Sequence, residues 1–240
     1  MKTAPAKWVL ILSLFVFSAC DELQQVVSQL PNQGPVTEVE IAQALKAALQ
    51  QGIDQRVSGL ADEGGYFNNP LVRIGLPSDL QKVDKALRDI GLSKLADEGL
   101  KVLNRAAEDA VSEAIPVFVD AVSGITFADA KNILLGDELA ATTFLEGRTR
   151  QELYNRFLPI IQSSFAKVGA DRIWSDLITR YNNIPLTRDV NPDLSAYVTG
   201  EALGGVYQVI GEEEKEIRSK VSARGTRLLQ KVFALQDQRN

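Results

Sequence analysis

The sequence predicts an all-α fold, a single multi-helix domain, on three observations. Apolar residues recur at intervals of three and four along most of the chain, the spacing of one helix face. Most apolar runs are preceded by Ser, Thr, Asp or Asn and closed by Gly or Pro, the start and stop signals of helices. No stretch sustains the period-two alternation of a half-buried strand, and Val117-Phe118-Val119, with strand-like composition, has helical flanks. Counting start signals gives about ten helices over 37–240.

A leader precedes the helices. Lys2 and Lys7 give a short positive region, and Trp8 to Phe17 is an apolar run of about ten residues, half of what a bilayer span needs and the length of a signal-peptide core. Ser18, Ala19 and the single cysteine, Cys20, follow. A hydrophobic residue, two small residues and a cysteine form the lipobox pattern, in which the thiol is acylated and the chain is cut before it. The expected organisation is a lipoprotein signal peptide over 1–19, a lipidated tether over 20–36 and the helical domain over 37–240. Ordinary secretory cleavage after Cys20 is the alternative. Several acyl chains on Cys20 anchor a protein firmly where one binds marginally. Asp21 is the expected sorting signal, retaining the protein at the inner membrane facing the periplasm; the competing reading is the start of an acidic tether.

The helices follow in order. The turn-rich Pro31 to Pro35 closes the tether, and Thr37-Glu38-Val39-Glu40 is a capping box opening a helix with Ile41, Leu45, Ala48, Leu49 and Ile53 inward. Ser78 opens the next, closed by Gly91. Ser93 opens an alanine-rich helix through Leu103, Ala106, Ala110 and Ala114, which Pro116 breaks or kinks. Thr126 caps Phe127 to Leu135, closed by Gly136; Asp137 starts a helix closed by Gly147. A second capping box at Thr149 to Glu152 leads into Leu153, Phe157, Ile161 and Phe165, and Asp171 starts a helix stopped before Pro185. Asn191-Pro192 places a cap before a first-turn proline, and Leu194 to Phe233 is helical with breaks near Thr199 and Ser222.

Composition excludes more chemistry than it suggests. The chain has no His, its one Met is the initiator, and its one Cys is assigned to acylation. That leaves no disulfide, no Ser-His-Asp triad and no zinc, copper or haem site on His, Cys or Met ligands. No metal and no cofactor is expected. With 26 Lys and Arg against 31 Asp and Glu the net charge is −5; removing Lys2 and Lys7 leaves 24 against 31, or −7. An acidic chain of this kind is not expected to bind nucleic acid.

Several motifs together carry a resemblance. Gly65-Tyr66-Phe67-Asn68-Asn69-Pro70 with Arg73-Ile74-Gly75-Leu76-Pro77, Leu103-Asn104-Arg105-Ala106-Ala107-Glu108, and Phe127-Ala128-Asp129-Ala130 with Ile133-Leu134 form the first set. Ala196-Tyr197-Val198-Thr199, Glu212-Glu213-Glu214-Lys215 with Ile217-Arg218, and Lys231-Val232-Phe233 form the second. They resemble an uncharacterised bacterial family, domain of unknown function 4197, over nearly all of the domain. Gly75 stands where that family usually has proline. The resemblance implies an exported all-α domain and assigns no functional residue.

Candidate sites rest on the residues alone. Ser164-Phe165-Ala166-Lys167 matches SxxK, but the partner motifs S-D-N and K-T-G are missing, so coincidence is expected. The acids Glu212, Glu213, Glu214 and Glu216 read as a solvated, charge-laced helix face through i,i+4 pairs with Arg218 and Lys220, with a hard-cation site as the alternative. Gly200 and Gly204 suggest a tight helix crossing. Arg218 to Asn240 has six basic residues against Asp237 and reads as a basic amphipathic helix, docked on its own acidic domain or on anionic headgroups. The loop from Asp62 to Pro77 gathers Tyr66, Phe67, Asn68, Asn69 and Arg73; long loops in helical domains are binding surfaces or self-packed. The expected function is therefore a membrane-tethered interaction or scaffold module with an envelope protein or lipid partner, not an enzyme. A carrier or chaperone for an apolar ligand, and a His-free envelope hydrolase, are the alternatives.

Overall fold

The computed structural model describes residues 35–89, 91, 93–168, 178, 179 and 193–237. The leader, Cys20, Asp21, the tether before Pro35, most of the helix expected from Asp171 and the Asn191-Pro192 start lie outside the described residues.

Helix α1, Glu38–Gly52, begins at the capping box its sequence predicts. The Glu40 amide donates to Thr37 Oγ1 at 3.2 Å while the Thr37 amide donates to the Glu40 carboxylate at 2.9 Å. Its apolar stripe, Ile41, Leu45, Ala48, Leu49 and Ile53, is buried. The helix then runs on through a π-helical turn, Ile53–Val57, and a last α turn, Ser58–Leu60. Helix α2, Ser78–Asp89, is followed by Gly91 at φ 85°, the left-handed position that glycine fills at helix ends. Helix α3 is Ser93–Val111, and α4, Ala114–Ser123, carries Pro116 in its first turn, so the break falls ahead of the proline rather than at it. Helix α5, Phe127–Leu134, starts on a capping box formed by Thr126 and Asp129.

The next element departs from the sequence reading. One helix, α6, spans Ala140–Val168, with Gly147 inside it and no start at Thr149. Every fourth residue on one stripe is buried: Ala141, Leu145, Thr149, Leu153, Phe157, Ile161 and Phe165. The Thr149 hydroxyl donates to the Leu145 carbonyl at 2.7 Å and lies 2.8 Å from the Tyr207 hydroxyl. A continuous buried ridge therefore outweighs the single glycine, which costs a helix only about 1 kcal/mol. Helix α7, Ser195–Ser219, is likewise unbroken at Thr199, whose hydroxyl bonds back to Ser195. After a 3-10 turn, Val221–Ala223, comes α8, Arg227–Asp237.

Eight helices and no strand are present among the described residues. The expected ten shrinks chiefly because α6 joins two predicted helices and the Asp171 helix lies outside. Within the unit Thr37–Asn240, α6 packs along α3 and α7 and touches α4 and α5, while α8 lies on α1. Phe118 meets Tyr207 edge to face at 5.9 Å in this core. Helix α8 buries Leu229, Val232 and Phe233, and Lys231 reaches Glu40 of α1 at 2.6 Å. Of the two readings of the basic C-terminal segment, docking on its own domain is the one observed.

Candidate functional site

The segment between α1 and α2 is held from below by two polar residues of α3. Glu108, almost fully buried, accepts from the Tyr66 amide at 3.1 Å and the Phe67 amide at 3.3 Å. One turn earlier, Asn104 takes the Ile74 amide at 2.8 Å and returns a bond to the Ile74 carbonyl at 2.9 Å, pairing with backbone as a strand would. Tyr66 is fully buried and donates its hydroxyl to the Ala202 carbonyl of α7 at 2.7 Å; burial pushes this phenol well above its ordinary pKa, so it stays a neutral donor. Its ring is admitted by Gly205, where a Cβ would come within 2.8 Å of Tyr66 Cε1. Gly65 serves the other side: a Cβ there would stand 2.5 Å from the Gly59 carbonyl oxygen.

The outer face is different. Asn68 is exposed and lies over Gly64, at φ 84°. Asn69 accepts from the Leu71 amide at 3.1 Å, and Leu71 is 44 % exposed. Arg73 is exposed, with its guanidinium carbon 4.3 Å from the centroid of the Phe67 ring, and the Lys101 ammonium lies 5.9 Å from the same centroid. Of the five loop residues singled out by sequence, Tyr66 is structural, Phe67 is half-buried, Asn69 shapes the turn, and Asn68 and Arg73 face solvent. Sequence reasoning missed Asn104, Glu108, Leu71 and Lys101. A signal for the first two existed: both are polar residues on the buried, alanine-lined face of α3, where such groups must find partners.

The Glu-rich segment of α7 is the solvated face expected only in part: Glu212 is exposed and Glu216 pairs with Lys220 at 3.0 Å, as its spacing predicts, but the other acids turn inward. Glu213, Glu214 and Arg218 are buried. Glu214 accepts from the Ala141 amide at 2.9 Å, the Thr142 amide at 2.8 Å and the Thr142 hydroxyl at 2.7 Å, capping the start of α6. Its partner Arg218, 2.8 Å away, donates to the Ile133 carbonyl at 2.8 Å and the Leu134 carbonyl at 3.2 Å, capping the end of α5. An anion thus sits at a helix N-terminus and a cation at a C-terminus, each opposite the local dipole. Arg224 repeats the device, donating to the Ile217 and Arg218 carbonyls at 2.9 Å and to both oxygens of Asp237. That pairing holds the Asp237 carboxyl below its ordinary pKa. Glu213 takes Gln51 at 3.0 Å and Arg56 at 2.8 Å from α1 and its π turn. Beside these acids, Leu45, Leu49, Ile217 and Phe233 help line a cavity of about 20 Å³, room for one water.

The remaining candidates resolve simply. Ser164 donates to Asp109 at 2.7 Å, and Lys167 is exposed. A Cβ at Gly200 or Gly204 would meet nothing within 4 Å, so the close crossing falls one residue later, at Gly205. No group of three or more His, Cys, Asp or Glu placed to hold a metal occurs among the described residues. Among those residues, no helix is long and apolar enough to cross a membrane.

A family model described as protein of unknown function DUF4197 matches residues 35–234. The chain belongs to that family. Comparison with curated proteins and with solved structures finds no match. In this DUF4197 domain the motif stretches pair off in space. The Tyr66 amide meets Glu108 and the Ile74 backbone meets Asn104, both of the second stretch, and the Ile133 and Leu134 carbonyls meet Arg218.

Proposed function

We propose that the protein is a lipoprotein anchored through Cys20 to the periplasmic face of the inner membrane, where it acts as an interaction module. Its contact surface is the turn 67–73. One observation carries this reading: the buried polar groups Asn104, Glu108, Glu214 and Arg218 are engaged in holding helix ends and the loop base, whereas Asn68, Leu71 and Arg73 face outward from a rigid support. Recognition groups on a preorganised loop bind without the cost of ordering it.

The test uses Asn68→Ala and Arg73→Ala in the full chain. Both positions are exposed, so melting should stay within the small range of surface substitutions. Crosslinking of the protein to its envelope partner should be lost. If instead both variants melt early and partner recovery simply tracks protein abundance, the turn is structural and the reading fails.

A further inference from the structure

We infer that the turn 67–73, with Lys101 beside it, docks on an anionic phospholipid surface; this deepens the contact-surface reading and rests on it. The inference begins from how the chain disposes of its arginines. Arg56, Arg88, Arg105, Arg148, Arg150, Arg156, Arg218 and Arg224 each pair with a carboxylate. Arg73 and Arg227, among the described residues, pair with none, and Arg73 alone of the two leans on a ring, that of Phe67, with Lys101 on the same ring. Of the acids nearest on α3, Glu108 holds the loop amides and Asp97 pairs with Arg88, while Glu98, one turn before Lys101, is exposed and forms no ion pair among the described residues. A neutral ring orients the two cations, and no carboxylate among the described residues is bridged to either.

The same turn supplies an apolar tip. Leu71 is 44 % exposed with its amide fixed by Asn69, and Pro70 is exposed next to it. Tyr66 and Ile74, on either side, are pinned to α7 and α3, so the tip is presented without an ordering cost. The chain from residue 20 onward, with 24 Lys and Arg against 31 Asp and Glu and so a net charge of −7, is repelled as a whole by an anionic membrane. Approach is favourable only where cations are unpaired and an apolar group can enter the headgroup boundary. Guanidinium and ammonium donate to lipid phosphate oxygens, and Leu71 enters between headgroups. A protein partner fits less well. Arg73 already covers the Phe67 ring, and one leucine and one proline are too little apolar surface for the buried centre of a protein interface.

The measurement is co-sedimentation of the chain from residue 20 onward, with Cys20→Ser so that no acyl chain contributes. The vesicles contain phosphatidylglycerol and phosphatidylethanolamine in equal parts, with phosphatidylcholine vesicles for comparison. Binding to the anionic vesicles should weaken with salt, and binding to phosphatidylcholine should be much lower. One basic residue near such a surface contributes about fivefold in partition, so Arg73→Gln with Lys101→Gln should lower it roughly twenty-five-fold. Leu71→Ser should lower it severalfold, while Lys220→Gln with Arg227→Gln, outside the turn, should leave it unchanged. All variants should keep the wild-type helical circular dichroism. No binding by wild type, or equal loss in the Lys220 and Arg227 pair, overturns the inference. If vesicles are not bound yet the turn variants still lose a crosslinked envelope protein, the lipid assignment falls and the contact-surface reading survives. If both signals are absent, both fall.

Discussion

Replacing Arg218 with methionine would leave the volume of the side chain nearly intact and remove its charge. In the folded protein Glu214 and Arg218 are 7 % and 4 % exposed, so the change strands a buried carboxylate and leaves the Ile133 and Leu134 carbonyls without their donor. Breaking one side of a buried pair costs about 3–5 kcal/mol, because the surviving charge has no compensation. For a domain near two hundred residues each kcal/mol lowers Tm by about 2–4 °C, so a loss on the order of 10 °C is expected. Chemical denaturation and thermal melting of Arg218→Met against Arg156→Met measure this. Arg156 pairs with Glu152 on the surface, where such pairs are worth about 1 kcal/mol or less. The double variant Glu214→Gln/Arg218→Met should lose less than the sum of its singles, because the stranded charge is gone. Equal small losses at positions 218 and 156 would refute the claim that this pair ties the ends of α5 and α6 together.

Three further outcomes follow from named contacts. Gly205→Ala should destabilise by about 1–3 kcal/mol, since its Cβ meets Tyr66 at 2.8 Å, whereas Gly204→Ala, in open space, should stabilise by up to about 1 kcal/mol; thermal melts of both decide. The Glu40 carboxyl is lowered from 4.5 to about 2, first by its hydrogen bond from Lys231. A depressed carboxyl stabilises above its unfolded pKa and loses that contribution as pH falls, so the stability gap between wild type and Lys231→Met should shrink from pH 4.5 down to about 2. A gap constant across that window contradicts the assignment. Finally, cells fed radioactive palmitate should label the wild-type protein and not Cys20→Ala; an unlabelled wild type removes the anchor from the proposal.

Local signals were readable where the partner lies within one turn. The capping boxes at Thr37 and Thr126 and the left-handed Gly91 are short-range devices, and each stands where the sequence puts it. Thr149 carries the same local signature, but its environment is set by Tyr207, far along the chain, and by the ridge from Ala141 to Phe165. The i,i+4 spacing of Glu214 and Arg218 is identical on a wet face and a buried one. What decides between them is the presence of two helix ends opposite, contributed by residues around 134 and 141. The glycine crossing was misplaced by one residue because Gly204 and Gly205 are adjacent and only one faces Tyr66. The loop was legible as a feature, not as a division of labour. Its anchors depend on Asn104 and Glu108, thirty and forty-two residues away from Ile74 and Tyr66.

The most direct measurement places a photo-crosslinking amino acid at position 68 of the full, lipid-anchored chain and illuminates intact cells. Position 163, exposed on α6 away from the loop sequence, serves as the reference. The account predicts a discrete adduct with an envelope component from position 68, lost with Arg73→Ala, and none from position 163. Adducts of equal yield from both positions, or none from position 68 in a stably folded protein, would contradict it.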